Sequence, residues 1–255
     1  MNKYLKPKEE GKPRVFEVSS VSAFIEVATW LCSDERVIFR GQPKETGWPL
    51  VPSVGRDVER SLFLRREQKI LEEFKREVIP YINLLPDNDW QWLALAQHNR
   101  LPTRLLDWSK NPLATLWFAI KDPAIDNQAG VVWAFCYEDS EAMFNTTNCS
   151  VSPFDIDKTY VYFPEHIFPS IQAQSGVFTV HYRDGNSPGR FPPLEGTKDS
   201  DLRLTKIEIL PQYFATIRYQ LFRVGINPAC LFPGLSGVVD KIIYANKMCE
   251  DEGKT

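Results

Sequence analysis

The sequence predicts a single α+β domain, and three observations lead there. Apolar runs of strand length, such as Gly130 to Tyr137 and Leu105 to Trp108, alternate with amphipathic stretches of helical period. The helical stretches gather in the first half, and strand-like runs dominate the second. No repeat, low-complexity tract or linker divides the 255 residues. Residues 1–18 read as an N-terminal arm, charged and proline-containing over 1–13, residues 19–248 as the domain, and 249–255 as a tail.

Each element has a local cause. Ser19 and Ser20 can cap a helix whose apolar face includes Phe24, Ile25, Ala28 and Leu31. Arg36 to Arg40 reads as a strand. Glu59 to Ile82 reads as a long helix with Leu62, Ile70, Phe74 and Val78 inward, and Glu72 to Glu77 as its solvated face. Asp87 or Asn88 caps the next helix, which runs toward His98. Leu105 to Trp108 is a short buried strand, and Asn111-Pro112 opens another helix. Gly130 to Tyr137 is apolar throughout, which places it centrally. Strands follow at Thr159 to Phe163, Gly176 to His181 and Leu202 to Leu210, with a Pro/Gly-rich loop over Asp184 to Gly196. Pro211 opens a helix ended by Gly225, and Ser236 to Met248 is the last helix.

Composition narrows the setting. A formal net charge of −3 gives no overall attraction to nucleic acid or an anionic membrane. A local basic groove stays open, with Arg56, Arg60, Arg65, Arg66, Arg100 and Arg104 as its candidates. No run has the apolar length of a membrane-spanning helix, and the first residues lack a signal-peptide core. The five cysteines (Cys32, Cys136, Cys149, Cys230, Cys249) form no Cys-x-x-Cys pair, which points to a reducing cytoplasm. With three histidines and none at His-x-x-x-His spacing, no metal is expected.

Two motifs carry the chemistry. In Val37-Ile38-Phe39-Arg40-Gly41-Gln42 an arginine follows an apolar strand. A charge there needs a partner, and guanidinium grips phosphate or carboxylate through two parallel hydrogen bonds. Gly41 beside it admits a ligand or another backbone at close range. Arg40 is therefore either an ion-pair anchor or the floor of an anion site. The second run, Gln97-His98-Asn99-Arg100-Leu101-Pro102-Thr103-Arg104-Leu105-Leu106-Asp107-Trp108-Ser109, places His98, Arg104, Asp107, Trp108 and Ser109 around a short apolar core. Bland readings stand beside these. Arg40 and Asp107 can form a buried salt bridge, Trp108 can be core, His98 can complement a helix dipole, and Arg104 can pair with a surface acid.

Together the two runs resemble the FRG domain family, through Phe39-Arg40-Gly41 and His98-x-x-Leu101-Pro102-Thr103-Arg104-Leu105-Leu106-Asp107-Trp108-Ser109, followed by Asn111-Pro112. The resemblance covers roughly residues 20 to 240. A more distant resemblance is to arginine-type ADP-ribosyltransferases, with Arg40 as first element, Asp107-Trp108-Ser109 as second and Gln172-Ala173-Gln174-Ser175-Gly176 as third. It implies a split β-sheet core with helices mainly from the N-terminal half. It also implies NAD as substrate, with Arg40, Asp107, Ser109 and Gln174 catalytic, and contacts to NAD from Arg40, Gly41, Gln42, His98, Thr103, Arg104 and Trp108. The four catalytic candidates are then expected to converge on one concave site. The departure is Gln174, which stands where a glutamate is usual and cannot act as a base. Either the reaction needs no strong base, another carboxylate such as Asp107 or Glu165 contributes, or the site only binds.

Three functions follow from these resemblances. One is an NAD-dependent ADP-ribosyltransferase, a toxin-like effector of bacterial or phage conflict, modifying a macromolecular acceptor such as single-stranded nucleic acid or protein. The second is a nucleotide-sensing module without turnover. The third is a structural or interaction protein of a toxin–antitoxin system, with an antitoxin protein as a candidate partner.

Overall fold

The computed structural model describes residues 3–6, 12–32, 36–56, 61–139, 142–143, 151–165, 169–183, 191–196 and 203–252, leaving aside the side chains of 61–65, 142–143 and 248–252. The expectations for Leu62, Arg60, Arg65, Cys149, Cys249 and most of the 184–196 loop lie outside these described residues and side chains. The strands are β1 (Arg14–Val18), β2 (Val37–Gln42), β3 (Leu105–Ser109), β4 (Gly130–Cys136), β5 (Ala142–Met143), β6 (Tyr160–Tyr162), β7 (Gly176–Val180) and β8 (Leu204–Ile209). The helices are α1 (Val21–Leu31), α2 (Ser61–Val78), α3 (Asp89–His98), α4 (Pro112–Ile120), α5 (Pro169–Ala173), α6 (Phe214–Arg223), α7 (Pro228–Leu231) and α8 (Leu235–Glu252).

Among the described residues all eight strands join one mixed sheet in the order β1-β8-β4-β2-β3-β7-β6-β5. The apolar run of β4 is central, as expected, between β8 and β2. The implied split sheet is not what is seen, because the sheet is continuous. Its two halves are joined by a single residue pair, however, Phe39 opposite Ser109. Two further expectations are corrected. Arg14–Val18, counted with the arm, forms edge strand β1, parallel to β8. Helices also close the C-terminal half as α6 to α8, so they do not come mainly from the N-terminal half, and α8 runs past Met248 to Glu252.

The helix starts follow capping chemistry. Ser20, Asn88, Asn111 and Asn227 each accept a hydrogen bond from a backbone N–H of the first turn they precede. Pro112 and Pro228 then occupy positions where no N–H is needed. Residues of α1, α4 and α6 pack with Val37, Phe39, Val132, Ala134 and Ile207 on one sheet face. On that same face of the other half, Leu105, Phe178 and Val180 meet Leu71, Trp90 and Leu93 of α2 and α3. The opposite face buries Ile38, Leu106, Trp108, Phe135 and Val177 with Leu50. In α1 the register differs from expectation. Val21, Ala23 and Val27 join Phe24 and Ala28 inside, while Ile25 is exposed.

Candidate anion-binding site at the β2–β3 junction

β2 and β3 part after the Phe39–Ser109 pair, and Arg40 stands at the parting. Its side chain is 12% exposed. Nη1 donates to the Asp107 main-chain carbonyl at 2.6 Å, while the Asp107 Oδ2 lies 3.9 Å away, beyond hydrogen-bond reach. Nε is enclosed and, among the described residues, has no hydrogen-bond partner. Burial pushes the guanidinium pKa down to about 10, with Asp107 opposing and Arg56 adding to the depression. Asp107 therefore compensates Arg40 incompletely, and a fully formed buried salt bridge is absent.

The rim is built by the loop before β3. The exposed Asp107 carboxylate accepts from Gln97 Nε2 at 2.9 Å, and Gln97 Oε1 accepts from the Thr103 hydroxyl at 2.8 Å. His98 is exposed beside Ser170. Burial lowers its pKa, with the Asp107 charge working the other way. Below Arg40, the Trp108 indole N–H donates to Thr179 Oγ1, which lies 3.0 Å from His181 Nε2. Burial, together with Arg40, Arg56 and Arg104, pushes the His181 pKa down to about 3. His181 is thus neutral beside three guanidinium groups and adds no further positive charge to their field.

Most other motif residues hold the fold. A Cβ on Gly41 would meet the Thr115 carbonyl oxygen of α4 at 2.0 Å, so it is another backbone, not a ligand, that Gly41 admits. Buried Gln42 joins the Trp48 carbonyl to the Trp133 indole. Buried Thr103 bonds Gln97 and the Leu105 N–H. Arg104 is 3% exposed and pairs bidentately with the buried Glu67 at 2.7 and 3.0 Å, while Nη1 takes the Pro153 carbonyl. It therefore leaves the basic-groove set. Arg56, Arg66 and Arg100 remain exposed. Trp108 is core, packed on Phe135.

The expected convergence of Arg40, Asp107, Ser109 and Gln174 is not what the structure shows. They form two pairs. Arg40 meets Asp107. The Ser109 hydroxyl meets the Gln174 carbonyl at 2.5 Å, and the Gln174 amide donates to the Leu231 carbonyl at 3.0 Å. Alternation sets Arg40 apart from Ser109, and Arg40 reaches Asp107 chiefly through its main-chain carbonyl at the parting. Ser109 lies opposite Phe39, so Arg40 projects from the other sheet face, whereas Leu231 belongs to the helix layer over Phe39. Glu165, the alternative carboxylate, accepts from Gln91.

Sequence reasoning passed over Gln97, Glu67 and His181. Glu67 was legible: it lies four residues before Leu71 and seven before Phe74, on the inward stripe of α2.

The family comparison fits these motifs. Residues 35–128 match the FRG domain. This chain carries an FRG domain. The match spans β2 through α4 and so contains Arg40, Gln97, His98, Asp107 and the glycine that beds α4. No curated protein and no solved structure matched the chain. Strands β4 to β8 beyond residue 128, with β1 before the match, complete the sheet in which the FRG domain sits. Among the described residues, no helix is long and apolar enough to cross a membrane.

Proposed function

We propose that the FRG domain is a receptor for a phosphate-bearing nucleotide, with NAD as the first candidate. The observation that carries this reading is Arg40: mostly buried, bonded to one carbonyl, and with an enclosed Nε that has no partner. An incompletely compensated guanidinium costs free energy that an anion recovers, and phosphate matches its donor fork. Arg56 adds a second positive charge close enough to depress the Arg40 pKa. Asp107, exposed and oriented by Gln97, offers a carboxylate acceptor at the rim, suited to the hydroxyls of a ribose. An anion grip beside a sugar-hydroxyl acceptor describes a nucleotide better than a bare acid.

A second reading, ADP-ribosyl transfer from NAD, is favoured by one observation. Strands β2, β3 and β7 are neighbours, so the Arg40, Ser109 and Gln174 elements lie side by side. Transfer requires Ser109 and Gln174 to leave their carbonyl partners, and nothing in the resting geometry turns them toward Arg40. A toxin-like role, a nucleic-acid or protein acceptor, and an antitoxin partner depend on this second reading.

Thermal melting with NAD, combined with labelled NAD and separate RNA, DNA and protein pools, tests both. The receptor reading predicts that NAD raises the melting temperature by mass action, that Arg40→Lys melts normally but loses the shift, and that no nicotinamide is released. Nicotinamide release that falls sharply in Gln174→Ala selects transfer. Absence of any NAD shift rejects NAD as the ligand.

A further inference from the structure

A cavity of about 280 Å³ opens at the end of the sheet away from Arg40. Its walls are Phe163, Pro164 and Val177, and its polar groups are Lys110, Gln172 and Ser175. Chain direction separates it from the site above. Beyond Ser109, β3 leads on to Lys110, whereas β2 beyond Phe39 leads back to Arg40 and toward Leu105.

The cavity is constructed. Ser109 Oγ donates to the Gln174 carbonyl, Lys110 N–H donates to the Ser175 carbonyl at 2.9 Å, and the Gln174 amide ties the same turn to α7. These bonds hold Ser175 at φ 50°, a left-handed conformation that a serine rarely adopts. A strained residue held by several bonds at a cavity wall is a common feature of ligand clamps.

The lining is chemically specific. Lys110 Nζ lies 4.9 Å from the centre of the Phe163 ring and, among the described residues, makes no ion pair with a carboxylate. Among the described residues, the Gln172 amide and Ser175 hydroxyl make no side-chain hydrogen bond. A cation on an aromatic face, with an amide and a hydroxyl that make no side-chain hydrogen bond among the described residues, therefore border apolar walls. We propose that this cavity is a second ligand site, for a small planar organic anion: an aromatic carboxylate whose ring packs on Phe163, Pro164 and Val177 and whose carboxylate takes Lys110, Ser175 and Gln172. The volume suits one ring with its acid group, near the lower end of the ~300 Å³ at which ligand pockets begin. Ser109 is then a positioning residue for this site.

Titration of the full chain with benzoate, acetate and benzamide, followed by ligand-observed NMR, tests the proposal. Benzoate is expected to bind with a Kd on the order of 1 mM, and acetate (no ring) and benzamide (no charge) about tenfold more weakly or worse. Lys110→Met should weaken benzoate by about tenfold or more while melting like wild type, because the side chain is exposed, and Lys110→Arg should restore much of the affinity. Arg40→Lys should leave benzoate binding unchanged, which separates this site from the nucleotide site. Benzoate binding that is undetectable, matched by benzamide, or indifferent to Lys110→Met overturns the proposal.

Discussion

At the scale of single residues, the FRG motif divides into groups whose bonds are complete and groups whose bonds are not. Arg104 has a carboxylate, a carbonyl and the face of the Phe154 ring. Arg40 has one carbonyl. Arg40 ends one short apolar run and Arg104 precedes another, so each borders a strand and nothing local tells them apart. Their difference depends on Glu67, which reaches Arg104 from α2, far away in the chain. His181 offers a residue-scale prediction. Its folded pKa, about 3, lies below the ordinary imidazole value, so the unfolded chain takes up a proton that the folded chain refuses. Its contribution is therefore fully present above the unfolded pKa and lost as pH falls below it. Denaturant unfolding at pH 7 and pH 5 should show about 2 kcal/mol lost by wild type through this group, and clearly less by His181→Asn. Equal losses in both proteins would mean that His181 is not buried in the neutral form.

At the scale of elements, α4 and α2 set the geometry of the junction. Glycines at 41 and 130 let the α4 backbone lie directly on β2 and β4. Gly41→Ala places a methyl 2.0 Å from a main-chain oxygen that cannot swing aside, so a loss of at least ~3 kcal/mol is expected in equilibrium unfolding. A loss under ~1 kcal/mol would show that α4 can shift. The Glu67–Arg104 pair fastens α2 to the start of β3, with both side chains almost fully enclosed. Glu67→Ala leaves Arg104 charged and unpaired, and should cost about 3–5 kcal/mol. Unchanged stability would indicate that water replaces the carboxylate. Elements with strong local signals were legible: the capped starts of α1, α3 and α4, and the apolar run of β4. β1 was not, because its Arg-Val-Phe-Glu-Val sequence sits in a charged segment and becomes a strand only by pairing with β8, far along the chain.

At the scale of the whole molecule, a sheet of eight strands hinges on one residue pair, and that is where the motif arginine stands. The sequence showed which strands carry the motif residues, β2, β3 and the start of β7, which are neighbours in the sheet. It could not show which face each side chain takes, because a strand reverses face at every residue and the register is set by the partner strand. That single pairing separates Arg40 from Ser109 and Gln174, and makes anion binding the primary reading. A chain with net charge −3 nevertheless concentrates Arg40, Arg56 and Arg104 around one neutral imidazole, so its positive field is local. The most direct test is the ¹⁵N resonance of the Arg40 Nε–H group, assigned by its loss in Arg40→Lys and followed as NAD, and separately inorganic pyrophosphate, is added. The account predicts a saturable shift of that resonance with both, because the unpartnered donor gains an acceptor. A resonance that stays fixed while either ligand saturates the protein elsewhere would contradict it, and would leave Arg40 as a structural anchor.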